Sequence, residues 1–174
     1  MTRLPHHPPT GWYFFCTRAI KSRMRVKKLV NLANAQRGTY STVIGQIIKD
    51  GVCPFCRAHL LKYHTEPILR TGRHWLATKN FRPYEGSTMH LLFIHHTHLD
   101  NLYNIKPSAW LELLAMYKWA IKKFKIKGST LIVRAGDPNY TGGSVQHLHA
   151  QLVSGISRTQ KNSFPITPVV GFGK

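Results

Sequence analysis

The chain has 174 residues, a length that fits one domain, and its hydrophobic fraction of 43% is enough to build a core. Its 25 Lys and Arg face six acids, and the formal net charge of +19 either is a merely basic surface or draws polyanions such as nucleotides, RNA or anionic lipid. The six carboxylates offer few candidates for a glycosidase-like acid pair or a carboxylate-bound magnesium cluster, whereas 11 histidines point to imidazole chemistry.

Residues 1–38 read as a basic N-terminal extension, partly disordered, with eight Lys/Arg and no acid. Pro5, Pro8 and Pro9 discourage regular structure at its start. The spacing of Val26, Leu29, Val30 and Ala33 predicts a short basic helix near its end. Such a segment suits RNA or another polyanion, bound through phosphates. The apolar stretch at 11–16 is too short for a signal-peptide core and lacks a convincing cleavage site, and no apolar run is long enough to span a bilayer. A cytoplasmic chain is expected. The main domain is expected over 39–155, with a Pro/Gly/Ser-rich tail at 156–174.

Within that domain, Ser41 is placed to cap a helix carrying Val43, Ile44, Ile47 and Ile48 and ending near Gly51. Cys53-Pro54-Phe55-Cys56 follows. Three cysteines make no disulfide framework, and this pair suits metal binding, redox work or simple packing, while Cys16 stands alone. Residues 67–71 and 74–78 read as strands joined at Gly72, and 89–94 as a buried strand. Pro107 and Ser108 open a helix running to Lys127, with Trp110, Leu113, Leu114, Tyr117, Ile121 and Phe124 at helical spacing and Gly128 as its stop. Residues 131–135 form a strand, 136–143 a loop and 146–153 a final strand. The fold class is α+β: an antiparallel sheet of about five strands with one long helix packed across it.

In a strand, alternate side chains share a face, so His147, His149 and Gln151 point one way and Leu148, Ala150 and Leu152 the other, into a core. The glycines of the preceding Thr141-Gly142-Gly143-Ser144 let backbone N–H groups approach an anion, and the Ser144 hydroxyl adds a donor. A His-x-His pair by itself is also compatible with a metal pair or with two surface histidines. Arg82 and Arg134 are either phosphate partners or solvated surface. Phe81, Ile68 and Trp75 either wall a base or belong to the core. His59, His64, His74 and His90 carry no assigned chemistry.

The run Gly-Gly-Ser-Val-Gln-His-Leu-His-Ala-Gln, residues 142–151, resembles the active-site strand of the histidine-triad superfamily. Its final Gln151 is similar to the branch containing galactose-1-phosphate uridylyltransferase and the diadenosine tetraphosphate phosphorylases. The hydrolase branch typically has a third histidine there. The resemblance runs from about Tyr40 to Val153 and implies a nucleotidyltransferase or phosphorylase. His149 would attack the α-phosphorus to give a covalent nucleotidyl-histidine. Ser144, Gln151 and the Gly142–Gly143 backbone would hold the phosphate. Asn80, either an ordinary turn residue or a ligand of the ribose hydroxyls, takes the second role by this resemblance. A structural zinc held by Cys53, Cys56, His98 and His147 is implied by the same resemblance, with His95 and His96 as rival ligands. A homodimer is implied as well. A histidine-triad hydrolase, and a basic nucleic-acid-binding protein that keeps the fold, are the alternatives.

Overall fold

The computed structural model describes residues 29–34 and 39–174. The expectations for residues 1–28, the basic and polyanion-directed part of the extension, lie outside the described residues. Of the expected short helix, Leu29 to Ala33 are described. Val30 instead forms an antiparallel bridge with Val145, and Leu32–Asn34 make a single 3-10 turn. Val30 is 2% exposed and packs with Ile44, Ile47 and Val145. A buried β-branched residue in an extended bridge satisfies its backbone and its apolar surface together.

The sheet has five strands: β1 (Ile68–Thr71), β2 (Trp75–Lys79), β3 (Met89–His95), β4 (Thr130–Arg134) and β5 (His149–Ser154). Their order is β1-β2-β3-β5-β4, and every pairing is antiparallel. The helices are α1 (Thr39–Asp50), α2 (Arg57–Tyr63), α3 (Pro107–Phe124) and the single turn α4 (Pro138–Thr141). The α+β architecture is the expected one. Helix α1 begins two residues before Ser41 and stops where Gly51 takes φ +69, a left-handed conformation that glycine adopts without strain. Helix α2 was not anticipated, and α4 occupies part of the expected loop at 136–143.

Helix α3 lies across one face of the sheet. Its buried stripe is Ala109, Leu113, Met116 and Ala120, at spacings of four, three and four. The two alanines let the helix approach the sheet closely, and the Trp75 indole N–H donates to the Ala109 carbonyl at 2.7 Å. The apolar spacing read from the sequence included Trp110 and Leu114, which are instead 37% and 48% exposed. The helix also ends earlier than Lys127. Lys125 takes φ +52 and the Ile126 N–H turns back to the Ile121 carbonyl at 3.0 Å, which draws Ile126 against the core.

The opposite face of the sheet carries Leu76, Leu92 and Ile94, covered by Leu60 of α2. Next to this cluster, α1 packs on Cys53, Tyr63 and the Val30–Val145 bridge. The cover is incomplete, and the cleft left between α1, the sheet and the C-terminal tail is lined by polar groups of β4 and β5.

Candidate active site

Strand β5 starts at His149, three residues later than Gln146, because the preceding residues pair elsewhere. Val145 bridges Val30, the Gln146 N–H donates to the Leu29 carbonyl, and the Leu148 N–H donates to the Leu99 carbonyl. The backbone is nonetheless extended enough to keep the two-residue alternation. Leu148, Ala150 and Leu152 all pack under α3. His147, His149 and Gln151, all buried, belong to the other side.

His149 stands opposite Ile94 on β3 and Arg134 on β4. Its Nδ1 is 2.6 Å from the His147 carbonyl oxygen. A carbonyl only accepts, so Nδ1 carries the proton and Nε2 keeps its lone pair. Burial, the main cause, pushes the imidazolium pKa down to about 4, and the ring is neutral at pH 7. The Phe55 ring meets His149 edge-on with centroids 5.2 Å apart.

The cleft holding His149 has a volume of about 200 Å³. Ile44, Ile47, Tyr63, Phe81 and Leu92 form its apolar wall. Gly142, Gly143, Ser144, Gln151, Asn80 and Arg82 also line it, so the expected phosphate loop, the amide and the ribose candidate share one space. Trp75 does not join them. It lies in the core under α3, on the other side of the sheet, and Ile68 packs beside Leu60 and Leu76. Arg134 is not solvated surface, being 4% exposed.

Gly142 caps α4 at φ +67, where a Cβ would sit 2.5 Å from Val169 of the tail. The loop is also stapled from the N-terminal side. Asn34 Nδ2 donates to the Pro138 and Gly143 carbonyls at 2.7 and 2.9 Å, and the Asn31 N–H donates to the Ser144 carbonyl at 2.9 Å. Asn80 does close a turn, since its Oδ1 accepts the Arg82 N–H at 3.0 Å. Its Nδ2 lies 3.0 Å from His90 Nε2.

His90, to which the sequence assigned no chemistry, orients Gln151. The Tyr84 N–H donates to His90 Nδ1 at 3.1 Å, so the ring proton is on Nε2. That nitrogen faces Gln151 Oε1 at 3.2 Å and donates to it. The amide oxygen is thereby occupied, which leaves the Nε2 end of Gln151 as a donor for the cleft. Only position 90 on the site-facing alternation of β3, two residues before Leu92, would have signalled this.

At the edge of the cleft, Cys53, Cys56, His98 and His147 bring four ligand atoms within 4.8 Å of one another. Cys53 Sγ is 3.3 Å from His147 Nδ1, Cys56 Sγ is 3.5 Å from His98 Nδ1, and the two Nδ1 atoms are 3.2 Å apart. Zinc bonds of about 2.3 Å to sulfur and 2.0 Å to nitrogen give tetrahedral edges of about 3.3–3.8 Å, close to these three separations, while Cys56 Sγ to His147 Nδ1 is slightly longer at 3.9 Å. His147 Nε2 donates to the His95 carbonyl at 2.7 Å, which turns an unprotonated Nδ1 toward the cysteines. The Cys53 thiol, with help from His147 and His98, holds the Cys56 thiol well below its ordinary range and favours the thiolate. His95 and His96 are not in the cluster: His95 Nδ1 folds back on Thr97, and His96 Nε2 donates to the Gly72 carbonyl at 3.0 Å.

No protein-family model and no curated protein matches this chain. Among solved structures, a hypothetical histidine triad nucleotide-binding protein from Sulfolobus tokodaii is similar, with 20% identity and a TM-score of 0.50 over 70% of this chain and 82% of that one. A HIT family hydrolase from Clostridium thermocellum has 25% identity and a TM-score of 0.45 over 60% of this chain and 91% of that one. A Zn-bound histidine triad family protein from Mycobacterium smegmatis has 20% identity and a TM-score of 0.45 over 64% and 80%. The five-stranded antiparallel sheet with its crossing helix is the fold of the histidine triad proteins.

Proposed function

We propose that the chain is a nucleotidyltransferase or phosphorylase in which His149 attacks the α-phosphorus of a nucleotide. The observation that carries this reading is the His149 tautomer. A buried, neutral imidazole has its Nδ1–H fixed on the His147 carbonyl at 2.6 Å, in a cleft that it shares with Gly142, Gly143, Ser144 and Gln151. The Nε2 lone pair forms a bond to phosphorus, and the bond from phosphorus to the leaving-group oxygen breaks with its electron pair on that oxygen. An acceptor oxygen then attacks phosphorus and the nitrogen–phosphorus bond returns its pair to Nε2. The loop N–H groups, the Ser144 hydroxyl and the Gln151 amide donate to the non-bridging oxygens as charge builds on them. Asn80 faces the ribose, and the apolar wall with Phe81 takes the base.

Gln151 separates transfer from hydrolysis. An amide does not titrate near pH 7, so it orients an oxyanion but relays no proton to or from water. That favours a phosphate-type acceptor, which needs no deprotonation to attack. The four-atom cluster is read as a zinc site, in which Cys53, Cys56, His98 and His147 would hold the ion with four protein ligands. With no open position, such an ion ties the 53–56 turn, and with it Phe55, to the approach of β5 and supplies no step of the reaction.

The test is product analysis with α-labelled ATP, UDP-glucose and diadenosine tetraphosphate, with and without inorganic phosphate. The expected result is release of a nucleotidyl product that phosphate accelerates. Products that form at the same rate without phosphate, with water as acceptor, would reassign the chain to the hydrolases. No product from any of the three would remove the enzymatic reading.

A further inference from the structure

The guanidinium of Arg134 lies under the Gly142–Ser144 loop. It is the last residue of β4, directly across the ladder from His149, and it lines the same cleft. A Cβ on Gly143 would meet its Cδ at 3.1 Å. The side chain is 4% exposed and always charged, so a full positive charge is buried here.

Its partners are all neutral. Nη1 donates to the Thr141 carbonyl, and Nη2 donates to the Tyr84 hydroxyl at 3.1 Å and the Val169 carbonyl at 2.5 Å. Nε is buried without a partner. Among the described residues, no carboxylate lies within 4.0 Å of it. Burying an ion without a counter-ion is costly, and that cost falls when an anion arrives beside it. A charged phosphate oxygen accepts more strongly from a guanidinium than the neutral Val169 carbonyl does.

The α-phosphate does not by itself call for this cation. As a diester or anhydride it carries a single charge, and the loop amides and Gln151 are matched to it. A neighbouring phosphate brings further charge, and as leaving group it takes the electron pair of the broken bond. An alcohol or amine group, by contrast, brings no negative charge of its own to the bound substrate for a fixed cation to meet.

We propose that Arg134 binds the phosphate adjoining the α-phosphate, so that the site takes phosphoanhydrides in preference to nucleotides joined to a neutral group. This rests on the nucleotide reading of the cleft given above. The rival is a structural pin that only fastens the loop to Tyr84 and the tail.

Calorimetry on the full chain separates them. The two probes are α,β-methylene-ADP and the methyl ester of AMP, which share base, ribose and α-phosphorus and differ in the second phosphate. A charge-assisted contact predicts about ten- to hundredfold tighter binding of the first. Arg134→Met should bring that ratio close to one, and Arg134→Lys, which keeps the charge but loses the planar fork, should retain part of it. A wild-type ratio near one overturns the proposal, whether or not the variants fold. So does an Arg134→Met protein that binds both probes more weakly by one common factor, as a pin would require. Binding of neither probe to the wild-type chain overturns the nucleotide reading itself.

Discussion

If the cluster holds the proposed zinc, stripping it is the perturbation with the widest expected effect, because the four candidate ligand atoms join three stretches of chain: the 53–56 turn, His98 and His147. Cys53 also belongs to the core cluster formed by Val30, Ile44, Ile47 and Val145, so losing the ion loosens a cluster as well as a loop. With free zinc a thousandfold above its dissociation constant, a site present only in the folded state adds about 4 kcal/mol. A chain of this length changes its melting temperature by about 2–4 °C per kcal/mol, so chelation should lower Tm by about 8–16 °C. The assay is thermal unfolding with and without a strong chelator, paired with elemental analysis, which should find about one zinc per chain. Cys53→Ser should reproduce the chelated Tm and gain nothing from added zinc. Identical melting curves with and without chelator, in a protein that contains no zinc, would refute the argument from the ligand geometry.

Three further outcomes follow from individual contacts. Asn34→Ala removes both bonds to the Pro138 and Gly143 carbonyls, so it should cost about 1–3 kcal/mol in a urea titration and raise KM by loosening the phosphate loop. His90→Phe keeps an aromatic ring beside Tyr84 but leaves Gln151 without its donor. It should lower kcat by about tenfold or more, and an unchanged kcat would mean that Gln151 needs no orienting partner. Glu112 caps the β1–β2 turn by accepting the N–H groups of Arg73, His74 and Trp75. Burial pushes its pKa up, but these bonds outweigh it and hold the carboxyl below its ordinary value. Its contribution is therefore present above the unfolded value and is lost as pH falls through the folded one, and Glu112→Gln should flatten that acid limb in urea midpoints measured against pH.

How much of this was legible in the sequence varied with the kind of signal. The strands were readable as short apolar runs set off by turn residues, and α3 from a helical apolar pattern that continues along its length. The placement of His147, His149 and Gln151 on one side followed from alternation alone, although the ladder begins only at His149. The fourfold cluster was reached through resemblance, since the spacing of Cys53 and Cys56 names two ligands and nothing local marks residues 98 and 147. What the sequence hid was long-range. Helix α2 is seven residues with a weak apolar pattern. Asn31 and Asn34 staple a loop more than 100 residues away. Arg134 is buried by carbonyls 7 and 35 residues further on, and a lone arginine at a strand end reads locally as surface. Trp110 took the place that Ala109 fills, because spacing cannot tell a large residue beside the buried stripe from a small one within it.

A covalent intermediate on His149 is the most direct consequence of its role as nucleophile. The protein is mixed with a reactive nucleotide, quenched in base to preserve an acid-labile phosphoramidate, and digested. Tandem mass spectrometry then locates any nucleotidyl mass increment. The predicted result is one adduct on His149, absent from His149→Ala, while that variant keeps its zinc and its melting temperature. An adduct still formed by folded His149→Ala, or found on another residue of the wild-type chain, would contradict the assignment of His149 as the nucleophile.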